Sequence, residues 1–114
     1  MRVRVSVAET DEFTRLADGL LSEVEHAALV DLVSNNPEVG VPLGAGIRKF
    51  RFARTGGGKG GGYRVIHYYK VDNLTPAILL LIYAKNVQEN LTPSHLDRLK
   101  VLGEAIAASY RRRR

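Results

Sequence analysis

The stretch that decides the fold is YRVIHYYKVDNLTPAILLLIYA, residues 63–84. Its first part, 63–71, is rich in aromatic and β-branched residues, which predicts a strand. Residues 72–74 (Asp-Asn-Leu) predict a hairpin-like turn. Residues 77–84 are apolar without interruption, which is typical of a central strand covered on both faces. The stretch therefore predicts two strands joined by a turn, the second of them central in a sheet.

Further strands are predicted before this hairpin. Residues 47–54 (IRKFRFAR) predict a strand dense in cations, preceded by a loop at 39–46 that is rich in Gly and Pro. At the start of the chain, Val3, Val5 and Val7 alternate with polar residues, which predicts a first strand with one buried face.

Three helices are predicted around these strands. Residues 9–17 predict a short helix, and Ser22 with Glu25 has the spacing of a capping box that starts a second one. Asn35, Asn36 and Pro37 end the second helix, because proline disfavours helical conformation in the residue before it. Thr92 and Pro93 predict the N-cap and first residue of a last helix. Its apolar stripe is Leu96, Leu99, Leu102 and Ile106.

The predicted order β-α-α-β-β-β-α indicates an α+β domain: a small, curved, antiparallel-dominated sheet flanked by helices. A chain of 114 residues has the size of one domain. We therefore expect a single domain over residues 1–110, followed by a basic C-terminal tail at 111–114.

The composition limits the possible functions. Seventeen Lys and Arg against twelve Asp and Glu give a net charge of +5, which favours RNA, an acidic membrane surface or an acidic protein as a partner. The absence of cysteine excludes a disulfide scaffold, thiolate zinc sites and thiol catalysis. The N-terminal residues have no continuous apolar stretch and no apolar run reaches membrane-spanning length, so we expect no signal peptide and a soluble, cytoplasmic protein with no membrane partner.

Cations are concentrated on two consecutive predicted strands. They are Arg48, Lys49, Arg51, Arg54 and Arg64. No acid lies between Glu38 and Asp72, and like charges on neighbouring strands cost energy. A polyanion or acidic partner explains this density better than a solvated sheet face does. Because side chains alternate along a strand, Lys49 and Arg51 are expected on one face and Arg48 and Arg54 on the other.

The glycine-rich connector at 55–62 formally contains G-x-G-x-x-G, yet it joins two strands instead of opening a helix. No Ser or Thr follows Lys59, so a phosphate-binding P-loop is absent as well. The connector therefore predicts a mobile hairpin linker and no nucleotide cofactor. Lys59 remains a candidate to close over an RNA phosphate.

Candidates for catalysis are few. His26, His67 and His95 are scattered without metal-ligand spacing, so we expect no metal site and no cofactor. His67, on a predicted strand, is the one candidate for catalysis, and the competing interpretation is a half-buried structural histidine. No Ser-His-Asp or paired-carboxylate pattern is found, so any enzyme chemistry must rest on Lys, Arg, Tyr and His.

Three blocks of sequence resemble a known family: GIRKFRFA (46–53), GGYRVIHYY (61–69) and LLIYAKN (80–86). In this order and spacing they resemble the RelE/HigB branch of the RelE/ParE toxins of bacterial toxin–antitoxin systems. The resemblance implies a positively charged concave active site. It also implies cleavage of mRNA in the ribosomal A site. Without a metal, such cleavage requires the 2′-hydroxyl to attack the adjacent phosphate.

The resemblance also implies partners. A cognate antitoxin is expected, which in the HigB branch usually carries a helix-turn-helix domain (HigA-like). The ribosome and its A-site mRNA are expected as targets. Operator DNA is expected to be bound only through the toxin–antitoxin complex.

The resemblance matches Lys49, Arg51, Arg64 and Lys85 to basic residues of the family, and the residue pattern itself adds the other candidates. The expected catalytic set is Lys49, Arg51, Arg64, Lys85, His67 and Tyr83, and the expected RNA-binding set is Arg48, Arg54, Lys59 and Asn86. Arg51 and Arg64 suit the phosphate, since guanidinium groups match its geometry. Either lysine of the set is a candidate general base, assisted by His67 or Tyr83. Asn86 stands where RelE has a catalytic arginine, and no later residue clearly supplies RelE's tyrosine. Both departures fit the HigB branch.

Two alternatives remain at this point. The first is a ParE-like inhibitor of DNA gyrase, which cleaves nothing and needs no such group of cations. The second is a non-catalytic nucleic-acid-binding module that stacks bases on tyrosines such as Tyr63, Tyr68 and Tyr69.

Overall fold

The computed structural model describes residues 4–53, 62–71, 75–85 and 91–112. The elements within these ranges are β1 (Val7–Glu9), α1 (Asp11–Leu20), α2 (Glu23–Asn35), β2 (Val41–Gly44), β3 (Ile47–Phe52), β4 (Tyr63–Tyr68), β5 (Ala77–Ala84) and α3 (Pro93–Arg112). The sheet order is β1-β5-β4-β3-β2. β1 runs parallel to β5 and the other neighbours are antiparallel. The predicted α+β class with an antiparallel-dominated sheet is therefore confirmed, as a mixed five-stranded sheet with three helices.

Local capping explains where the helices begin. Ser22 accepts from the backbone N–H of Glu25 at 3.1 Å and Glu25 accepts from that of Ser22 at 2.9 Å, so the predicted capping box is present. α1 starts two residues later than predicted, because Thr10 accepts from the N–H of Phe13 at 3.0 Å and caps the helix there. α3 begins at Pro93 as predicted.

The edges of the sheet differ from the sequence-based expectation. Residues 41–44 form β2 instead of part of a loop, since an edge strand accepts a proline whose missing N–H faces away from the sheet. The first strand is shorter than predicted, because the N–H of Val5 donates to Ser34 O at 3.0 Å instead of pairing with a strand.

β4 ends at Tyr68, earlier than the predicted Val71. The last helix extends through Arg112, so Arg111 and Arg112 belong to α3.

The core has two layers, one on each side of the sheet. The first layer packs α1 and α2 against the sheet through Phe13, Ala17, Leu29, Val33, Phe50, Val65, Leu79 and Ile82. The second packs α3 against the other face through Ile47, Ile66, Tyr68, Ile78, Leu80, Leu81, Tyr83, Leu99 and Ala107. We call these faces of the sheet the α1–α2 face and the α3 face. The uninterrupted apolar run of β5 is explained by burial on both.

α3 is anchored at one end of its face. A Cβ added at Gly103 would lie 2.7 Å from the buried ring of Tyr68, so the helix backbone packs directly on that ring. The Tyr68 hydroxyl donates to Glu104 Oε2 at 2.8 Å. Tyr68 pairs with Ile47 and Ile78 across the sheet, so these contacts lie at the end where β3 begins. None of the helices in the described ranges combines the length and apolar character needed to cross a bilayer.

Candidate active site

Three of the predicted site residues form one row across the α3 face of the sheet. Arg51 on β3 lies directly opposite Arg64 on β4, and Arg64 lies directly opposite Tyr83 on β5. Directly opposite side chains share a face, with Cβ atoms about 4.5–5.5 Å apart. The row lies four residues from the Tyr68 anchor of α3, which is about 13 Å along a strand. Arg51 is exposed, so solvent reaches this end of the face.

The polar atoms of Arg64 and Tyr83 are partly enclosed. Within the described residues, Arg64 Nη1 and the Tyr83 hydroxyl are buried and have no hydrogen-bond partner. Burial raises the pKa of Tyr83, while the positive charge of Arg64 opposes that rise. The Tyr83 hydroxyl therefore holds its proton near neutral pH. A buried polar group without a partner costs about 1–3 kcal/mol, and a ligand that supplies the missing partner removes that cost.

A second row lies beside the first and combines one cation with apolar side chains. Lys49 is opposite Ile66, which is opposite Leu81, and on the edge strand Val41 is opposite Lys49. Ile66 and Leu81 are buried. Charges next to such an apolar row interact more strongly than they do in water. Neither apolar residue stands out in the sequence, although alternation from Arg64 and Tyr83 places Ile66 and Leu81 on the same face.

Lys85 is exposed and follows the last residue of β5. Its backbone N–H donates to Gly62 O at 3.5 Å, where β4 begins, so the residue is held at the same end of the sheet as the row of Arg51, Arg64 and Tyr83. We define the basic face as Lys49, Arg51, Arg64, Tyr83 and Lys85.

His67 is separated from the basic face. Its ring is fully buried on the α1–α2 face, edge-on to Phe50 with ring centroids 5.4 Å apart. Its Nε2 donates to Pro37 O at 2.7 Å. Burial lowers the pKa of His67, the hydrogen bond to Pro37 opposes this, and the charge of Arg48 lowers the pKa further. The structural interpretation of this histidine fits these contacts, and we leave it out of the proposed catalytic set.

Arg48 is also directed to the α1–α2 face, where its Nε and Nη2 atoms donate to Val39 O at 3.2 Å and Gly40 O at 2.9 Å. We therefore leave Arg48 out of the proposed RNA-binding set. The predicted contributions of Arg54, Lys59 and Asn86 lie outside the described residues, as do residues 55–61 of the glycine-rich connector. In the part of the chain that is described, no three His, Asp or Glu residues are grouped as ligands of a metal ion.

The comparison with known families agrees with this architecture. The family model described as the RelE toxin of the RelE / RelB toxin-antitoxin system matches residues 5–113. The match spans every strand and helix described above, together with all candidate site residues. The protein therefore belongs to the RelE toxin family, and is a toxin of a toxin–antitoxin system with a cognate antitoxin as its partner.

Proposed function

We propose that this toxin is an endoribonuclease that cuts mRNA on the ribosome, and that the basic face is its active site. The observation that carries the proposal is the row of Arg51, Arg64 and Tyr83. Two guanidinium groups and a phenol on one face match the needs of a phosphate that gains negative charge during cleavage. The unpartnered Arg64 Nη1 and Tyr83 hydroxyl are donors that a phosphate oxygen or a leaving oxygen would satisfy.

The proposed reaction uses no group beyond the RNA and these side chains. The 2′-hydroxyl loses its proton and attacks the adjacent phosphorus in line, the bond from phosphorus to the 5′-oxygen breaks, and that oxygen takes up a proton. The products are a 2′,3′-cyclic phosphate and a 5′-hydroxyl. Arg51 and Arg64 stabilise the charge on the non-bridging oxygens.

Proton transfer is divided between the two ends of the site. Because Tyr83 holds its proton near neutral pH, its role is to donate to the leaving 5′-oxygen. Lys49 and Lys85 are the candidates to accept the proton of the 2′-hydroxyl, and separate alanine variants distinguish them. The ribosome supplies the in-line geometry by fixing the mRNA. Positioning of this kind lowers the activation barrier by up to ~7–11 kcal/mol.

The partners follow from this function. We propose that the ribosome with its A-site mRNA is the target and that the protein acts in the cytoplasm, where translation occurs. We further propose that the antitoxin is of the HigA-like, helix-turn-helix type and that operator DNA is bound only through the complex.

The decisive experiment is induction of Arg64→Ala beside Arg15→Ala. Arg15 is exposed on α1, on the opposite side of the sheet, and serves as the matched control. Primer extension on a translated mRNA should show induced cleavage with the wild type and Arg15→Ala and none with Arg64→Ala, while both variants remain folded and bind the antitoxin. Cleavage by Arg64→Ala would contradict the proposal. Arrest of replication before any loss of translation would favour the ParE-like alternative.

A further inference from the structure

The row of Arg51, Arg64 and Tyr83 carries positive charge that the described residues leave uncompensated. Arg51 and Arg64 lie directly opposite each other, and like charges in that arrangement cost free energy in a sheet. Lys49 lies two residues before Arg51 on the same face, about 6.6 Å along the strand, and adds a third cation. Within the described residues none of the three cations forms an ion pair.

Two polar atoms of the row lack an acceptor. Tyr83 is 6% exposed, and its hydroxyl, like Nη1 of Arg64, is buried without a hydrogen-bond partner in the described part of the chain. Arg64 as a whole is only half-buried and Arg51 is exposed, so a small solute can reach the row. An oxyanion would supply both the missing acceptors and the missing negative charge.

We propose that the row binds inorganic phosphate in the free protein, and that this phosphate competes with RNA and thereby inhibits the toxin. Guanidinium groups pair with phosphoryl oxygens through parallel hydrogen bonds, and the phenol of Tyr83 donates one more. The binding itself follows from the contacts of the row alone. The competition rests on the proposed function, because it requires the same row to hold a phosphate of the RNA.

The charge of the anion determines how tightly the row binds it. Above neutral pH, inorganic phosphate carries mostly two charges, one for each guanidinium group of the row. A phosphate within an RNA chain is a diester and carries one charge. A site that stabilises the additional charge of the cleavage transition state binds the dianion more tightly than a single diester. The mRNA competes with the dianion because the ribosome positions it.

Binding is measured by calorimetric titration of the purified protein with inorganic phosphate at about pH 8. The ionic strength is held constant, because the net charge of +5 attracts any anion. Dimethyl phosphate, a diester with one charge, is the second probe. Arg51→Gln, Arg64→Gln and Tyr83→Phe change the row. Arg15→Gln is the matched control, since it removes the same charge at an exposed position of α1 on the other side of the sheet.

We expect the wild type and Arg15→Gln to bind one phosphate per protein in a saturable manner. Binding by Arg51→Gln and Arg64→Gln should be at least about 10-fold weaker, because each substitution removes hydrogen bonds from a charged group. Tyr83→Phe should weaken binding by about 2- to 10-fold. Dimethyl phosphate should bind the wild type more weakly than inorganic phosphate does. Phosphate should also raise the Tm of the wild type and Arg15→Gln more than that of Arg64→Gln.

Competition is measured as cleavage of mRNA on purified ribosomes, with free Mg²⁺ and ionic strength held constant and the ribosomes well below saturation. Inorganic phosphate should slow cleavage by the wild type, with half-inhibition near the Kd found by titration. Dimethyl phosphate at the same concentration should inhibit less.

Two results would overturn the proposal. Phosphate binding that does not saturate, or that is equally strong in Arg15→Gln, Arg51→Gln and Arg64→Gln, would show an adventitious ion only. Saturable binding at the row without any inhibition of cleavage would show that phosphate and RNA do not compete. A wild type that never cleaves mRNA would refute the proposed function and the competition with it, whereas the titrations would still decide whether the row binds phosphate.

Discussion

Arg48 and His67 lie directly opposite each other on β3 and β4, and both donate to backbone carbonyls of the segment that follows α2. The carbonyls belong to Pro37, Val39 and Gly40, just before the edge strand β2. Two residues predicted from the sequence to bind RNA or take part in catalysis therefore hold a loop against the sheet by hydrogen bonds. The same pairing directs their neighbours Lys49 and Ile66 to the opposite face.

The buried imidazole of His67 should make stability depend on pH. Its pKa is lowered in the folded protein, so the unfolded chain takes up the proton first as the pH falls below about 6.5. The contribution to the free energy of unfolding is complete above that pH and decreases below it, with a limiting slope of about 1.4 kcal/mol per pH unit. Urea unfolding at pH values from about 5 to 8, the range in which histidines titrate, measures how steeply the free energy of unfolding depends on pH.

The variant His67→Gln should be less stable overall but should lose this pH dependence. His26→Gln, which removes a half-buried histidine bound to Glu9, is the comparison that should keep it. An identical slope in wild type and His67→Gln would contradict the assignment.

Tyr83→Phe should separate stability from activity. The substitution removes a buried hydroxyl that has no partner within the described residues, so the free energy of unfolding should stay constant or rise by about 1–3 kcal/mol. If Tyr83 donates the proton to the leaving oxygen, mRNA cleavage should fall about 10²–10⁴-fold. Chemical denaturation and primer extension measure the two effects.

Tyr68→Phe is the matched control, because the Tyr68 hydroxyl has a partner. Loss of its bond to Glu104 should cost about 1 kcal/mol of stability and leave the chemistry at the basic face intact. Destabilisation by Tyr83→Phe with full cleavage would refute its proposed role.

Gly103→Ala should weaken the packing of α3. The new methyl group would lie 2.7 Å from Cδ2 of Tyr68, a fully buried ring that has little room to move. Overpacking of this kind costs about 1–3 kcal/mol. Gly19→Ala is the helical control, since no atom lies within 4 Å of its added Cβ. It should stabilise the protein by up to about 1 kcal/mol through helix propensity. Thermal denaturation of the two variants should therefore shift in opposite directions, and equal shifts would contradict the packing argument.

Glu104 should make the free energy of unfolding depend on pH in the acid range. Hydrogen bonds from Lys70 and Tyr68 lower the pKa of Glu104, whereas burial and the Glu104 bond raise the pKa of Tyr68 to about 12. The stabilisation is complete above the unfolded carboxyl value of about 4.3 and is lost as the pH falls through the lower, folded value. Glu104→Gln should flatten the acid limb of the stability curve. An acid limb with the wild-type slope would show that the carboxylate contributes nothing.

Much of the fold could be predicted because its signals are local. The capping box of Ser22 and Glu25 and the Thr92-Pro93 start each depend on neighbours a few residues apart. β2 was missed because Pro42 and its flanking glycines are typical of a loop. Only its place at the sheet edge, paired with β3, makes that segment a strand.

The candidate site could be predicted only in part. Alternation along one strand correctly groups Lys49 with Arg51, since side chains change face with every residue. It does not reveal which residue of the next strand lies opposite, because register is set by pairing across the sheet. The register shifts once more at Leu80 of β5, which has no partner between the pairs Ile66–Leu81 and His67–Leu79, and this bulge has no signature in the sequence.

The sequence by itself determined the α+β class, the density of cations on two strands and the resemblance to RelE toxins, since composition, periodicity and short motifs are properties of adjacent residues. Only the tertiary structure decided which cations of neighbouring strands share a face. It brought Arg51, Arg64 and Tyr83 into one row on the α3 face of the sheet. It directed Arg48 and His67 to the α1–α2 face, where the acidic helices α1 and α2 pack. The physical reason is that strand register and layer packing join residues far apart in the chain.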